Sequence, residues 1–322
     1  MKRYKAAILN QSGESMINYV YSGEQLQELE ELTQLKPGIF DLSAVENGEL
    51  EETEVIFSTW GMPTLEDIHF QKMPNLKAVF YSAGATDAFA PNCFAHKIRV
   101  FSAWRANAIP VAEFCLAQIL LALKGYFRAQ RELKGPEQFN FKYAGHGIYG
   151  ETVALIGAGA ISKKLQEMLK TFRVNVIVIP SRKENRTISI EEAFKTAMVV
   201  SNHLPNREDN AGVLNGAHFR SMREGAVFIN TGRGRQVNEE ELIQVMEERP
   251  DLTALLDVTF LEPPPNGSKL YTTPNILLSP HMAGSLNDEV HRMSDFMLEE
   301  YKRFASGEAA VHEVHPEMLL TS

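Results

Sequence analysis

Cysteine is nearly absent from the 322-residue sequence, which holds only Cys93 and Cys115. Two cysteines cannot build a disulfide framework or a four-cysteine zinc site. Both stand among apolar neighbours, the usual setting of packing cysteines. No His/Cys grouping has metal-ligand spacing, so no metal is expected. Long hydrophobic runs are lacking too. The strongest, Val111 to Leu123, is interrupted by Glu113 and Gln118 and falls short of the roughly 20 residues a membrane span needs. The opening stretch from Met1 to Leu9 turns polar too quickly for a secretory signal. The expectation is a soluble, cytoplasmic protein without a membrane partner. Basic residues are in deficit, with 32 Lys plus Arg against 41 Asp plus Glu and a formal charge of -9. That balance argues against nonspecific nucleic-acid binding and against an anionic membrane surface. It leaves room for small anionic ligands, which need only a local cluster of donors.

What is present is the pattern of an ordinary globular chain, 44% hydrophobic and 23% charged, long enough for two domains. Short apolar runs alternate with helix-length segments. Strands are expected at Ala6 to Leu9, Glu54 to Thr59, Leu76 to Ser82 and Ile98 to Ser102. A helix over Gln25 to Leu35 follows from leucines at 26, 29, 32 and 35. A long helix from Pro110 to Lys134 is rich in Ala, Leu, Gln and Glu. The glycine-rich stretch Gly135 to Gly150 reads as a linker or projecting arm. The alternation then resumes with strands at Thr152 to Ile156, Val174 to Ile179, Met198 to Ser201, Ala226 to Asn230, Leu252 to Asp257 and Ile276 to Ser279. Asn238 with Glu241 forms a variant capping box at the start of one connecting helix, which Pro250 ends. Short apolar strands joined by crossover helices belong to doubly wound parallel sheets.

Gly157 to Ser162 follows a strand and opens a helix, the context a dinucleotide fingerprint requires. Gly157 permits the tight turn and Gly159 a close backbone approach to a pyrophosphate. Ala160 and Ile161 then start a helix whose free N–H groups and dipole favour phosphate. Ser162 stands where the pattern has its third glycine. The next strand should end in an acid for the adenosine ribose, but here it ends at Pro180, Ser181 and Arg182, with no carboxylate before Glu184. An acid there would repel a 2′-phosphate, whereas Ser181 could donate to it and Arg182 pair with it. NADP(H) is therefore expected in preference to NAD(H), which stays possible.

Four later segments carry polar groups, His203 to Pro205, Asn230 to Gly234, Leu256 to Pro263 and Ser279 to Gly284, and three of them follow expected strands at their C-terminal ends. In open α/β sheets ligands bind at the C-terminal edge, so Arg233, Asp257, Glu262 and His281 could converge there. With Ala106 to Glu113 and the glycine loop, these segments resemble the D-isomer-specific 2-hydroxyacid dehydrogenase family, along nearly the whole chain. Ser162, the missing acid and the segment Ser82 to Asp87 depart from the family pattern, the last bearing on substrate identity.

The resemblance implies an α/β fold of two doubly wound parallel-sheet domains. A flavodoxin-like substrate-binding, catalytic domain would comprise residues 1–103 and 290–322. A Rossmann dinucleotide-binding domain would comprise residues 104–289. It also implies an NAD(P)-dependent oxidoreductase that interconverts a small 2-keto acid and its D-2-hydroxy acid, glyoxylate and hydroxypyruvate being candidates. In it His281 is the proton donor, imidazole being the side chain suited to proton transfer near neutral pH. Glu262 is its carboxylate partner, and Arg233 holds the substrate carboxylate with a planar fork that Lys lacks. Asp257 would meet the nicotinamide carboxamide, while His203, Pro205, Thr231 and Gly284 line the cofactor cleft. Backbone N–H groups of Ala83, Gly84 and Ala85, with Asn107 nearby, would bind the substrate carboxylate, and domain closure would bring Gly84 toward Arg233. Trp60 and Trp104 are offered as shaping the substrate pocket or as ordinary packing. The stretch Gly135 to Gly150 resembles the family's dimer arm, implying a homodimer. A catalytically silent, corepressor-like nucleotide sensor is the alternative reading. A formate-type dehydrogenase is a third, which lacks the Glu partner of histidine.

Overall fold

The structure, a computed structural model, describes residues 1–139 and 145–319. Twelve strands are present among them: β1 (Lys5–Leu9), β2 (Gln34–Phe40), β3 (Val55–Ser58), β4 (Ala78–Tyr81), β5 (Arg99–Ser102), β6 (Thr152–Ile156), β7 (Asn175–Ile179), β8 (Val199–Asn202), β9 (Val227–Asn230), β10 (Thr253–Leu256), β11 (Ile276–Leu278) and β12 (Glu313–Val314). They form two six-stranded sheets, ordered β12-β5-β4-β3-β1-β2 and β11-β10-β9-β8-β6-β7. The chain divides into two compact units, residues 1–108 with 285–319, and residues 109–284. The expected boundaries at 103/104 and 289/290 each shift by five residues. Ala106 is buried in the first unit's core, and Asn107 Oδ1 accepts from the N–H of Ser285 at 3.0 Å. These contacts hold both chain crossings to the first unit.

In the first unit every strand pair is parallel except β12 with β5. Counted within the unit, the parallel strands run 2-1-3-4-5, the flavodoxin order. Phe57, Phe80 and Phe101 stack on successive strands at 5.1 and 4.7 Å. Tyr301 packs edge-on against Phe57 and Phe80. That aromatic contact seats the returning helix His291–Ser306 on the sheet. Two elements differ from the sequence reading. The helix expected over Gln25 to Leu35 spans Gly23–Leu32, because Ser22 forms a reciprocal capping box with Gln25 and Thr33 closes the last turn onto the Leu29 carbonyl. Leu35 belongs instead to β2, an edge strand whose Lys36, Pro37 and Gly38 are exposed. An exposed edge tolerates proline and needs no apolar alternation.

The second unit's sheet is wholly parallel and repeats the order 2-1-3-4-5, with a sixth strand, β11, beyond. Its covering helix Trp104–Leu123 starts six residues before Pro110. Burial of Ala106, Ala108, Val111 and Ala112 around the proline outweighs its local preference for a helix start. At 20 residues this helix is long and apolar enough to cross a membrane by composition, yet half of it is buried within the protein. Val111, Ala112, Cys115, Ile119, Ala122 and Leu123 join the second unit's core. The helix does not continue to Lys134. Gly125 adopts a left-handed φ of 72° and a separate helix, Tyr126–Glu132, follows. The freed carbonyls of Leu123 and Lys124 are taken by the N–H groups of Gly147 and Gly145. Residues 140–144 of the expected arm lie outside the described residues, as do 320–322 of the expected catalytic domain. Asn238 caps the helix Glu239–Glu248 by accepting from the Glu241 N–H. The other half of the expected box is absent, because Glu241 accepts from the Gly216 N–H.

Candidate active site

A doubly wound sheet opens a crevice where two neighbouring crossovers leave in opposite directions. In the second unit that switch point lies between β6 and β8, and the glycine loop follows β6. Gly157 has φ 111°, and a Cβ there would lie 2.3 Å from the carbonyl oxygen of His203, at the end of β8. Both backbone shape and close approach therefore require glycine. Gly159 faces open space, with nothing within 4 Å of a Cβ position. It caps the helix Ala160–Leu169 without any side-chain hydrogen bond, so the first-turn N–H groups remain available. Open space over unpaired helix N–H groups fits the pyrophosphate of a dinucleotide. Ala160 and Ile161 are half-buried in that first turn, while Ser162 is fully buried and its Oγ has no hydrogen-bond partner among the described residues.

At the end of β7, Ser181 Oγ accepts from Arg207 Nη1 at 3.3 Å. Arg207 pairs with Asp209 at 2.6 Å, and Arg182 lies 4.0 Å from the same carboxylate. Arg186 fixes the corner by donating to the carbonyls of Pro180 and Ser181. Sequence reading placed Ser181 and Arg182 but missed Arg207 and Asp209. These come from a different loop and enter the corner only through folding. The corner thus holds the guanidinium groups of Arg182, Arg186 and Arg207 together with the Asp209 carboxylate, which reaches it from a later loop.

His203 is turned inward. Its Nε2 meets Ser201 Oγ at 2.9 Å and its Nδ1 meets Thr231 Oγ1 at 3.3 Å. Thr231 Oγ1 also lies 3.3 Å from Cys115 Sγ. Full burial pushes the His203 pKa down to about 4 and the Cys115 thiol up to about 11. His203 was expected to line the cofactor cleft. Both its ring nitrogens are engaged, by the hydroxyls of Ser201 and Thr231. Pro205 is buried in the same loop, its carbonyl accepting from Asn210 Nδ2 and Gln236 Nε2.

At the far side of the edge, the loops after β9, β10 and β11 are locked together. A Cβ on Gly234 would sit 1.8 Å from the carbonyl carbon of Thr259, so the Arg233 loop lies directly on the loop that leads to Glu262. Glu262 Oε1 accepts from the Thr259 N–H at 3.3 Å, and its Oε2 lies 2.6 Å from His281 Nδ1. The His281 loop is pinned by Asp257. This buried carboxylate accepts from Ser279 Oγ at 2.6 Å, from the Met282 N–H at 3.0 Å and from the Ala283 N–H at 2.9 Å. Gly284 follows directly. His281 itself has a left-handed φ of 51°. Its side chain, like that of Glu262, is substantially exposed. Glu239, in the first turn of the helix Glu239–Glu248, accepts from the Phe260 N–H through its Oε1. Burial, with Glu262 nearby, raises its pKa.

The first unit presents Ala83, Gly84 and Ala85 at the C-terminal end of β4. Ser102 Oγ donates to the carbonyls of Ala83 and Gly84 at 2.8 and 2.7 Å, fixing the peptide planes. A Cβ on Gly84 would meet Asn107 Nδ2 at 3.3 Å. The carbonyl of Trp60 accepts from Asn10 Nδ2 at 2.8 Å. Trp104, half-buried, is stacked by the Arg105 guanidinium at 4.7 Å.

The family model for the D-isomer specific 2-hydroxyacid dehydrogenase, NAD binding domain, matches residues 116–283. The chain belongs to the D-isomer specific 2-hydroxyacid dehydrogenase family. It is similar to a putative 2-hydroxyacid dehydrogenase, YoaD, of Bacillus subtilis (strain 168), with 32% identity over 200 residues that cover 58% of each chain. It is also similar to a D-3-phosphoglycerate dehydrogenase of the same organism, with 28% identity over 75% of this chain and 47% of the relative. The matched stretch thus spans about half the length of these curated relatives. A crystal structure of a phosphoglycerate oxidoreductase from Rhizobium etli shares the fold, with TM-score 0.78 and 21% identity over 98% of this chain and 100% of that one.

Proposed function

We propose that this protein is a nicotinamide-dependent oxidoreductase that interconverts a small 2-keto acid and its D-2-hydroxy acid, with NADP(H) preferred. Glyoxylate and hydroxypyruvate are the substrates to try first. The observation that carries the proposal is the Glu262–His281 hydrogen bond, on loops packed against the one that bears Arg233.

A reduced nicotinamide cofactor would be held on Gly157, Gly159 and the N–H groups of Ala160 and Ile161, and when bound would be the source of the hydride. The rest falls to side chains. His281 gives a proton to the carbonyl oxygen, which becomes the hydroxyl, and recovers one from solvent. In the oxidation direction it takes that proton back. Glu262, accepting at Nδ1, leaves Nε2 for the transfer and fixes the ring. Arg233 binds the substrate carboxylate and polarises the keto oxygen through its fork of donors. In the first unit the backbone N–H groups of Ala83, Gly84 and Ala85, beside Asn107, are proposed as donors to the carboxylate by the family resemblance. Thr231, Pro205, Asp257 and Gly284 shape the nicotinamide side. An intact acid–base pair favours turnover over silent nucleotide sensing.

The NADP(H) preference rests on Arg182, Arg186 and Arg207 beside Ser181, three guanidinium groups in a corner that also holds the Asp209 carboxylate. The decisive assay is oxidation of NADPH and of NADH against a panel of 2-keto acids. Higher kcat/KM with NADPH, reduced by Arg182→Ala, is expected. A clear preference for NADH rejects the cofactor assignment, and no turnover of any 2-keto acid rejects the reaction.

A further inference from the structure

Behind the Arg233 loop lies a buried set of three amides that no step of the proposed reaction uses. Asn202 and Gln236 are wholly buried and Asn230 is 1% exposed. Buried amides are costly unless every donor and acceptor is matched. Here the matching is nearly complete and it points at one residue. Gln236 Oε1 accepts from Asn202 Nδ2 at 2.6 Å and from the Arg233 N–H at 3.1 Å. Gln236 Nε2 donates to the carbonyls of Leu204 at 2.7 Å and Pro205 at 2.9 Å. Asn202 Nδ2 also donates to Asn230 Oδ1 at 2.9 Å, and Asn202 Oδ1 accepts from the Leu204 N–H. Asn230 Oδ1 accepts from the Gly232 N–H, and Asn230 Nδ2 reaches the Arg233 carbonyl at 3.5 Å.

Arg233 is therefore gripped at both its N–H and its carbonyl. The same glutamine holds the Leu204–Pro205 loop at its other end. The grip leaves no slack. A Cβ on Gly232 would lie 2.6 Å from Gln236 Oε1 and 2.8 Å from Asn202 Nδ2, so the amides fill the space where a side chain would go. Gln236 is itself fixed by the backbone. Its carbonyl accepts from the Leu214 N–H at 3.0 Å, and its neighbour Val237 bridges Leu214. Its side chain can then reach Asn202 and Leu204 from a set position.

We infer that Gln236, with Asn202 and Asn230, is a positioning residue: it sets the backbone of Arg233 and couples it to the Leu204–Pro205 loop. The inference rests on the proposed role of Arg233. It predicts that the two ends of the glutamine are separable. Gln236→Leu removes both ends. Gln236→Glu keeps the acceptor toward Arg233 and Asn202, but sets a carboxylate oxygen against the carbonyls of Leu204 and Pro205.

The test compares wild type, Gln236→Leu, Gln236→Glu and Arg233→Lys in the full chain. The readouts are steady-state reduction of glyoxylate and hydroxypyruvate, NADPH affinity by fluorescence, and amide hydrogen exchange at Gly232 and Arg233. Gln236→Leu should lower kcat/KM for the keto acid by about 10²-fold, the usual cost of misplacing a binding group by an ångström. Its exchange at Arg233 should accelerate. Gln236→Glu should spare Arg233 exchange and weaken NADPH binding by about tenfold, and protonation at low pH should restore part of that affinity. Equal losses of NADPH affinity and keto-acid turnover in both variants would mean a common structural support and overturn the inference. So would unchanged exchange at Arg233 in Gln236→Leu. If Arg233→Lys leaves the KM for the keto acid unchanged, or wild type turns over no keto acid, the reading of Arg233 fails. The amide grip is then judged by exchange alone.

Discussion

Gly157 and the His203 carbonyl share a space that admits no side chain: a methyl group on Gly157 would stand 2.3 Å from that oxygen, on a backbone already at φ 111°. The glycine loop and the end of β8 therefore approach one another only because residue 157 is glycine. Gly157→Ala should destabilise the second unit by about 3 kcal/mol or more, combining a disfavoured φ with overpacking. It should also displace the loop that would receive the pyrophosphate. Thermal unfolding together with NADPH titration checks this. A variant that melts and binds as wild type would show that the loop is more open than described.

The same strand end makes a prediction about acid. His203 is fully buried and its pKa is pushed down to about 4, against about 6.5 in an unfolded chain. The folded state binds the proton less readily than the unfolded one. The neutral histidine is thus compatible with full stability above about pH 6.5. Below that the unfolded chain takes up a proton that the fold refuses, and stability falls until pH approaches 4. The loss attributable to this group is about 3 kcal/mol at most. Half-buried His312, also pushed down to about 4 by burial and then by Arg105 and Arg303, adds a similar trend in the first unit. His203→Gln should flatten the decline of unfolding free energy between pH 6.5 and 4 by up to one proton's slope. An unchanged slope would assign the acid sensitivity elsewhere.

Ser162 is the position where the dinucleotide pattern has its third glycine, and its buried hydroxyl has no hydrogen-bond partner among the described residues. Leaving such a group unsatisfied costs about 1–3 kcal/mol. Ser162→Ala removes the hydroxyl, keeps the packing volume and improves helix propensity. Stability should rise by about 1 kcal/mol, or roughly 2–4 °C in Tm for a unit of this size, with NADPH affinity retained. A lower Tm would mean that the hydroxyl is satisfied by water in solution.

Much of this site could be read along the chain because its signals are local. Gly157 and Gly159 stand between a strand and a helix, and Arg233, Glu262 and His281 each follow a strand. What escaped was non-local or contrary to pattern. β2 carries Lys36, Pro37 and Gly38 on an exposed edge, so no apolar alternation marks it. Gln236 and Asn202 look like loop and strand-end polar residues, and only tertiary burial makes them a matched set. Arg207 reaches Ser181 from a loop 26 positions away. His203 was legible as a residue near the site but not in its direction, since nothing in the sequence says that Ser201 and Thr231 will take both its ring nitrogens.

The last prediction concerns the pair on which turnover depends. His281 Nδ1 and Glu262 Oε2 are 2.6 Å apart, on side chains exposed enough to meet a substrate. The histidine backbone is held at φ 51° by bonds from its own N–H to the carbonyls of Asp257 and Ser279. Ring placement is thus set from two sides, by the loop and by the carboxylate. His281→Ala removes the proton donor and should lower turnover of the reactive keto acid by about 10²–10⁴-fold. Glu262→Gln keeps the size and can still bond Nδ1, but it no longer offers a charged acceptor and can favour the wrong tautomer. It should therefore lower kcat more than it raises KM. Asp257→Asn strikes the loop instead. One of its amide ends would face the donors of Ser279, Met282 and Ala283, so stability and turnover should fall together. A His281→Ala enzyme that reduces keto acids at the wild-type rate would remove the imidazole from the chemistry altogether.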